Sequence, residues 1–125
     1  MKKENIISWI LQLCIVIAFA PSAYLKLTGA PESIATFDTL GMEPAGRYII
    51  GFLEAAACLL LLTPNSVAYG SILTFCIMLG AILAHLTKLG FGESYSFICL
   101  ALLVASAVIT CIRKMQIKSI ARMLN

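Results

Sequence analysis

Glu54 is the residue of this chain whose type and position most clearly predict chemistry. It lies within residues 48–63, an otherwise apolar run with the composition of a membrane-spanning helix. A carboxylate is costly inside hydrocarbon, so it usually faces a bundle interior, pairs with a cation, or lies on an ion or ligand pathway. Because its side chain is too short to reach the interface, Glu54 should be protonated, paired with a cation such as Lys26, Arg47 or Lys88, or hydrogen-bonded to His85. A structural ion pair and a ligand or proton site are both compatible with this pattern.

The remaining polar side chains of the apolar runs group around Glu54. Arg47 and Glu54 share one helical face, with Glu54 about 10 Å deeper. His85 and Lys88 share a face of a later run, and Lys26 lies at the end of the first one. An outward-opening polar pocket of these five residues is therefore the predicted ligand-binding or proton-exchange site. In the alternative, each cation only extends to the interface and His85 is a packing residue.

No catalytic residue and no metal centre are predicted. One histidine cannot build a typical zinc site, and His85 is the single histidine of the chain. The chain is expected not to be an enzyme on its own, while a role as subunit of a membrane oxidoreductase stays open. No cofactor is evident from the residues.

Composition places the chain among integral membrane proteins. Hydrophobic residues make up 61% and charged residues 12% of the chain, and the mean hydropathy is +0.98. Ordinary soluble domains carry about twice that charged fraction. The length of 125 residues predicts one domain, most of which is needed to cross the bilayer several times. No room remains for a separate soluble catalytic domain.

The predicted fold is an all-α, integral membrane four-helix up-down bundle. The apolar runs predict spans at approximately residues 6–27, 46–63, 67–89 and 95–112, followed by a basic tail at 113–125. Short connections between the later spans favour antiparallel neighbours. In the first loop, residues 28–46, Pro31 can open and Gly41 can end a short interfacial helix that caps the outer side. The tail has apolar residues at helical spacing, which predicts an amphipathic helix on the membrane surface.

The basic residues predict the orientation. Six of the nine lie near the two termini, so both termini should be cytoplasmic in the cytoplasmic (inner) membrane. The same cations account for the net charge of +3 through topology and attraction to anionic lipid, so membrane lipid is expected as a partner and nucleic acid is not. The first run passes Ala18, Phe19 and Ala20 before Pro21, but it is longer than a signal-peptide core and its helical pattern continues from Lys26 to Gly29, which favours a retained span.

The cysteines do not form a recognisable redox motif. All five lie inside predicted spans, at positions 14, 58, 76, 99 and 111, without a CxxC pair. This spacing argues against a redox dithiol and against the vitamin K epoxide reductase type of four-helix enzyme. Packing residues are the expected role, although pairing between helices stays open.

Four stretches of the chain resemble the DoxX-like family of small four-span bacterial membrane proteins: AYLKLTG, TFDTLGM, IIGFLEAAACLLLLTP and AILAHLTKLG. The resemblance covers roughly residues 19–90. Its recurrent features are the Lys-x-x-Gly of Lys26 and Gly29, the Gly-x-x-Glu of Gly51 and Glu54, and the polar end of the third span. These motifs are short, so their order and spacing carry the resemblance.

The resemblance implies a four-helix bundle in the cytoplasmic membrane and, by analogy, a link to quinone or redox metabolism. The family takes its name from a membrane subunit of a thiosulfate:quinone oxidoreductase. By this analogy Glu54 and His85 would be hydrogen-bond or proton-exchange partners of a quinone headgroup, with Lys26 and Arg47 tuning their charge. Thiosulfate oxidation itself is not supported, since no metal motif or paired cysteine is visible.

Three functions fit these observations. The first is an accessory or ligand-binding subunit, the second a proton-coupled carrier resembling small multidrug exporters, and the third a structural scaffold without ligand. The carrier predicts a dual-topology dimer, which the basic bias of the tails argues against. A protein partner in a membrane redox complex and a homo-oligomer are both left open by the sequence.

Overall fold

The computed structural model describes residues 3–89 and 94–114, and the side chains of residues 5–87 and 97–114. Within these ranges the chain is helical and contains no strand. The helices are α1 (Lys3–Thr28), α2 (Pro31–Thr39), α3 (Ala45–Leu62), α4 (Val67–Ala84) and α5 (Ser94–Ile112). A 3₁₀ turn, Pro64–Ser66, joins α3 to α4, and a π-helical turn, His85–Leu89, extends α4.

The four long helices form an up-down bundle, which confirms the predicted fold class. Contacts run from α1 to α3, from α3 to α4, from α4 to α5 and from α5 back to α1, so the ring is closed. Large side chains buried at its centre come from all four helices: Ile15, Phe19, Leu61, Ile77, Met78 and Ile109. The short helix α2 crosses one end and contacts α1, α3 and the π-helical turn.

The outward faces of the bundle are apolar, as expected for a protein surrounded by lipid. Ile17 is 72% exposed, Leu59 69% and Val104 61%. Three helices are long and apolar enough to cross a membrane, at Asn5–Thr28, Ala45–Leu62 and Pro64–Thr87, and Phe97–Ile112 is a shorter apolar helix. With lipid outside and interhelical packing inside, the chain is a membrane protein.

Helix α2 begins and ends where the sequence predicts. Pro31 occupies its first position, where the missing N–H group is not needed. Gly41 has a positive φ of 73°, and the next amide, that of Met42, donates to the carbonyl of Phe37 at 2.9 Å. This is the glycine-based helix ending called a Schellman motif. The buried side chain of Phe37 fixes α2 to the bundle.

Two short connections are predicted, one between α3 and α4 and one between α4 and α5. The turn between α3 and α4 is tight, and the Ser66 hydroxyl donates to the carbonyl of Leu60 at 3.0 Å. The predicted turn at residues 90–94 lies outside the described residues except for Ser94. The predicted tail helix also lies outside them beyond residue 114.

Candidate functional site

An ion pair between α1 and α3 forms the centre of the candidate site. Lys26 Nζ lies 2.7 Å from Glu54 Oε1. The Glu54 side chain is 3% exposed and that of Lys26 20% exposed, so the pair is largely withdrawn from the lipid-facing surface. Of the partners that the sequence leaves open for Glu54, the structure joins it to Lys26.

The carboxylate is held by charge more than by hydrogen bonds. Glu54 Oε1 is buried and accepts no hydrogen bond from the described residues, although Lys26 Nζ lies at ion-pair distance. The Lys26 ammonium group is near enough to Glu54 Oε1 for a hydrogen bond, but it approaches at an unsuitable angle, so the contact is an ion pair. An ionised carboxylate can accept several hydrogen bonds, so Glu54 retains capacity for a donor from a ligand or water.

The ammonium group of Lys26 has a second partner on its own helix. It donates to Ser22 Oγ at 2.5 Å, one turn earlier in α1. This contact holds the lysine side chain along α1 toward the membrane interior and away from the interface. The Lys26 side chain therefore points to Ser22 and Glu54 and not to the interface, where an isolated cation would extend.

Gly51 explains why the pair can form. A Cβ atom at this position would lie 3.0 Å from Leu27 Cδ2 and 3.2 Å from Lys26 Cβ. The absence of a side chain thus allows α1 to pack directly on α3, one turn away from Glu54. The Gly-x-x-Glu motif in this chain combines a close helix approach with the acid that it brings to Lys26.

The end of α1 supplies the other half of the arrangement. Gly29 adopts a positive φ of 77° and ends α1, and the Ala30 amide donates to the carbonyl of Leu25 at 3.0 Å. The carbonyl of Lys26 belongs to the last turn and accepts a hydrogen bond from Arg47 Nη1. The Lys-x-x-Gly motif therefore places both the ammonium group and a free helix-end carbonyl at α3.

Arg47 is buried, with 4% exposure, and lies one layer farther toward the α2 end of the bundle. Its Nε atom lies 3.0 Å from both carboxylate oxygens of Glu43, and its guanidinium carbon lies 4.3 Å from the ring centroid of Tyr48. Arg47 therefore neutralises Glu43, and it is linked to the Lys26–Glu54 pair only through the Lys26 backbone. Glu43 is not among the residues predicted from the sequence, because it precedes α3 and its spacing of four residues from Arg47 is a signal only if the chain there is helical.

His85 and Lys88 both lie in the π-helical turn that follows α4. His85 begins the π-helical turn, and its Nδ1 lies 2.9 Å from the carbonyl of Ala81. The contacts of the described residues do not join His85 to Glu54. Lys88 belongs to the same turn, and its side chain lies outside the described side chains. Of the five predicted site residues, the structure thus joins Lys26 directly to Glu54 and Arg47 to Lys26.

Two buried thiols lie near the ion pair. Cys58 lies in α3, four residues after Glu54, and Cys99 lies in α5, and both side chains are buried. All five cysteines are free thiols. Within the described residues no group of three histidine, cysteine or acidic side chains is arranged to hold a metal ion.

An apolar groove lies beside the pair, between α1 and α3. Its volume is about 330 Å³, at the small end of ligand pockets. The lining combines small and large side chains: Ala20, Ala23, Tyr24, Leu27, Ala55, Cys58 and Leu59. Leu27 directly follows Lys26 and Ala55 directly follows Glu54, so the groove lies at the same level of both helices as the ion pair, although neither Lys26 nor Glu54 lines it.

A second buried polar cluster lies at the opposite end of the bundle. Gln12 is fully buried, and its amide nitrogen donates to the carbonyl of Leu61 at 2.7 Å, near the end of α3. Its amide oxygen accepts from the Ser8 hydroxyl at 2.5 Å and from Arg113 Nη2 at 3.4 Å. Arg113 Nε also donates to Ser8 Oγ at 3.1 Å. This cluster is not among the sites predicted from the sequence, where its signal is a glutamine within the apolar part of α1.

The comparisons with known proteins identify the family. The model of the DoxX-like family matches residues 10–108, which include all of α3 and α4, most of α1 and α5, and the Lys26–Glu54 pair. No curated protein and no solved structure matches the chain.

Proposed function

Because this chain belongs to the DoxX-like family, we propose that it is a small accessory or ligand-binding subunit linked to quinone or redox metabolism. The observation that carries the proposal is the buried pair of Lys26 and Glu54, in which Glu54 Oε1 accepts no hydrogen bond. A carboxylate held in this way has an affinity for a hydrogen-bond donor that the described protein residues do not satisfy.

A quinone-type molecule fits the chemistry of this site. A quinol hydroxyl can donate to Glu54, and a quinone carbonyl can accept from the Lys26 ammonium group. An isoprenoid tail would lie in the apolar groove between α1 and α3, beside Leu27 and Ala55. His85 and Lys88, which belong to the same end of the bundle, are retained in the proposal as outer hydrogen-bond and proton-exchange partners.

The proposed setting is the cytoplasmic membrane, with both termini on the cytoplasmic side and the Lys26–Glu54 pair in the outer half. The basic residues at the two ends of the chain support this orientation. A reporter fused after residue 125 should lie in the cytoplasm, whereas a reporter inserted after Gly41 should lie on the outer side of the membrane. The same location for both fusions would contradict the proposed topology.

The subunit is proposed to bind the ligand and to act with a partner protein that carries out electron transfer. A quinone that reacts at this site needs an electron donor or acceptor, and we assign that role to the partner protein. Co-purification from native membranes without overexpression tests this part. A partner containing a flavin, haem or iron–sulfur centre would support it, and a chain recovered alone under conditions that preserve known membrane complexes would contradict it.

The central experiment measures ligand binding by the Glu54→Gln variant. The probe is a radiolabelled short-chain ubiquinone, bound to the full chain in detergent micelles and measured by equilibrium dialysis. We expect Glu54→Gln to bind at least about tenfold more weakly, because the amide loses the charge-assisted hydrogen bond. Glu43→Gln is the matched control, since it also removes a carboxylate from this end of the bundle and should leave affinity within about twofold.

The result also separates a ligand site from a scaffold. If Glu54→Gln and the native chain bind the ubiquinone equally, or if neither binds it, the quinone proposal fails. If Glu54→Gln changes only the unfolding midpoint in a detergent titration, the ion pair has a structural role.

A further inference from the structure

We propose a second lipid-binding site, specific for an anionic glycerophospholipid, in the groove between α4 and α5 at the end of the bundle opposite the Lys26–Glu54 pair. The groove has a volume of about 270 Å³ and is lined by Ile72, Phe75, Ala107, Thr110 and Cys111. It is separate from the proposed quinone site in both position and helices.

The groove suits an acyl chain because its lining offers no unsatisfied polar group. Thr110 is the single hydroxyl residue in the lining, and it is already engaged. Its Oγ1 donates to the carbonyl of Ser106 at 2.9 Å and lies 2.8 Å from Ser71 Oγ. Of the α4 residues, Ile72 lies about 8 Å and Phe75 about 12 Å from the start of the helix, a depth that an acyl chain spans from the membrane surface.

Basic side chains mark the mouth of this groove. Lys114 lies on the helical face that lines the groove, because it comes seven, four and three residues after Ala107, Thr110 and Cys111. The Arg113 amide donates to the carbonyl of Ile109 at 2.9 Å, so helical hydrogen bonding continues past the end of α5 toward Lys114. Lys114 is exposed and can meet a lipid phosphate above the groove.

Arg113 adds a second positive charge at a fixed position. Ser8 and Gln12 bind its guanidinium group, which holds it at the same level as Lys114. No acidic residue occurs among residues 94–125, so no carboxylate side chain on α5 competes for these cations. This charge pattern favours an anionic headgroup over a zwitterionic one.

The test is native mass spectrometry of the full chain released from nanodiscs containing equal amounts of phosphatidylglycerol and phosphatidylcholine. The native chain is expected to retain one phosphatidylglycerol in preference to phosphatidylcholine. Lys114→Gln should reduce that preference about fivefold, because one basic residue near the surface is lost. Lys114→Arg keeps the charge and should retain the preference.

A matched pair of alanine substitutions locates the acyl chain. Ala107→Phe fills the groove and should abolish retention of the lipid, whereas Ala101→Phe places the same side chain on an exposed, non-lining position of α5 and should not. Helicity and unfolding midpoint of both variants identify misfolding, and a misfolded Ala107→Phe is replaced by Ile72→Phe. Equal retention of the two lipids by the native chain, or equal effects of the two alanine substitutions, would overturn the proposal.

Discussion

Arg47 donates a hydrogen bond to the backbone carbonyl of Lys26, the residue whose ammonium group neutralises Glu54. Lys26 is thus held at two points, by its carbonyl through Arg47 and by its side chain through Glu54. Because both partners belong to α3, the end of α1 is fixed against one neighbouring helix in depth and in rotation. The following predictions test how much of the structure depends on these polar contacts.

Replacing Lys26 with methionine should destabilise the bundle by about 3 kcal/mol, because Glu54 would be left buried without its cation. Unfolding in mixed detergent micelles, followed by circular dichroism, measures the change. The double variant Lys26→Met with Glu54→Leu removes both charges and should recover most of the lost stability. If the single and double variants are equally unstable, the loss comes from packing of the lysine stem and not from its charge.

Gly51→Val should destabilise the bundle by about 1–3 kcal/mol, since the new side chain would force α1 away from α3. Its first atom would already lie 3.0 Å from Leu27 Cδ2. Gly80→Val is the control on α4, where an added Cβ meets nothing within 4 Å. We expect it to change stability by less than about 0.5 kcal/mol in the same unfolding experiment. Similar losses in both variants would show that the loss at Gly51 does not come from the close contact of α1 with α3.

Gln12→Leu should cost about 1–3 kcal/mol, because it leaves the carbonyl of Leu61 and the Ser8 hydroxyl without their buried partner. Thr36→Val is a suitable control, since its exposed hydroxyl bonds only to a carbonyl of its own helix. The unfolding free energies of the two variants should differ by at least about 1 kcal/mol. A neutral Gln12→Leu would mean that apolar packing replaces the whole network.

Arg47→Lys should loosen the junction of α1 and α2, although the positive charge is kept. Lysine cannot bind Glu43 and the Lys26 carbonyl together with the fixed geometry of a guanidinium group. Hydrogen exchange of the Gly29 and Ala30 amides should accelerate about tenfold, as expected for loss of about 1.4 kcal/mol of local stability. Glu43→Gln removes the ion pair and leaves the carbonyl bond, so exchange at these amides should change less.

The sequence predicts the helices well because local rules determine their limits. Pro31 and Gly41 act through the conformation of their own backbone, and both mark the ends of α2 as expected. The four-helix bundle follows from apolar runs separated by short connections, and the family from short motifs in a fixed order. The predicted bundle and the family assignment are both confirmed.

The contacts of the site were harder to predict because they depend on how the helices rotate against one another. The sequence places Lys26, Arg47 and Lys88 at similar depth, and depth alone does not decide which of them meets Glu54. In the structure, Gly51 sets the approach of α1 and so favours Lys26. Arg47 was harder still, since its partner Glu43 lies in the loop before α3, where the regular spacing of a helix was not expected.

The polar contacts between α1 and α3 also have a consequence for membrane insertion. A lone glutamate or arginine lowers the tendency of a segment to leave the translocon for lipid. Lys26 is synthesised before Glu54, so its ammonium group and the carbonyl at the end of α1 are already in place when α3 emerges. Each charge of α3 then meets a waiting partner as it enters the bilayer. A chain with the order of α1 and α3 exchanged would keep the same contacts but would have to insert Arg47 and Glu54 before their partners on α1 are available.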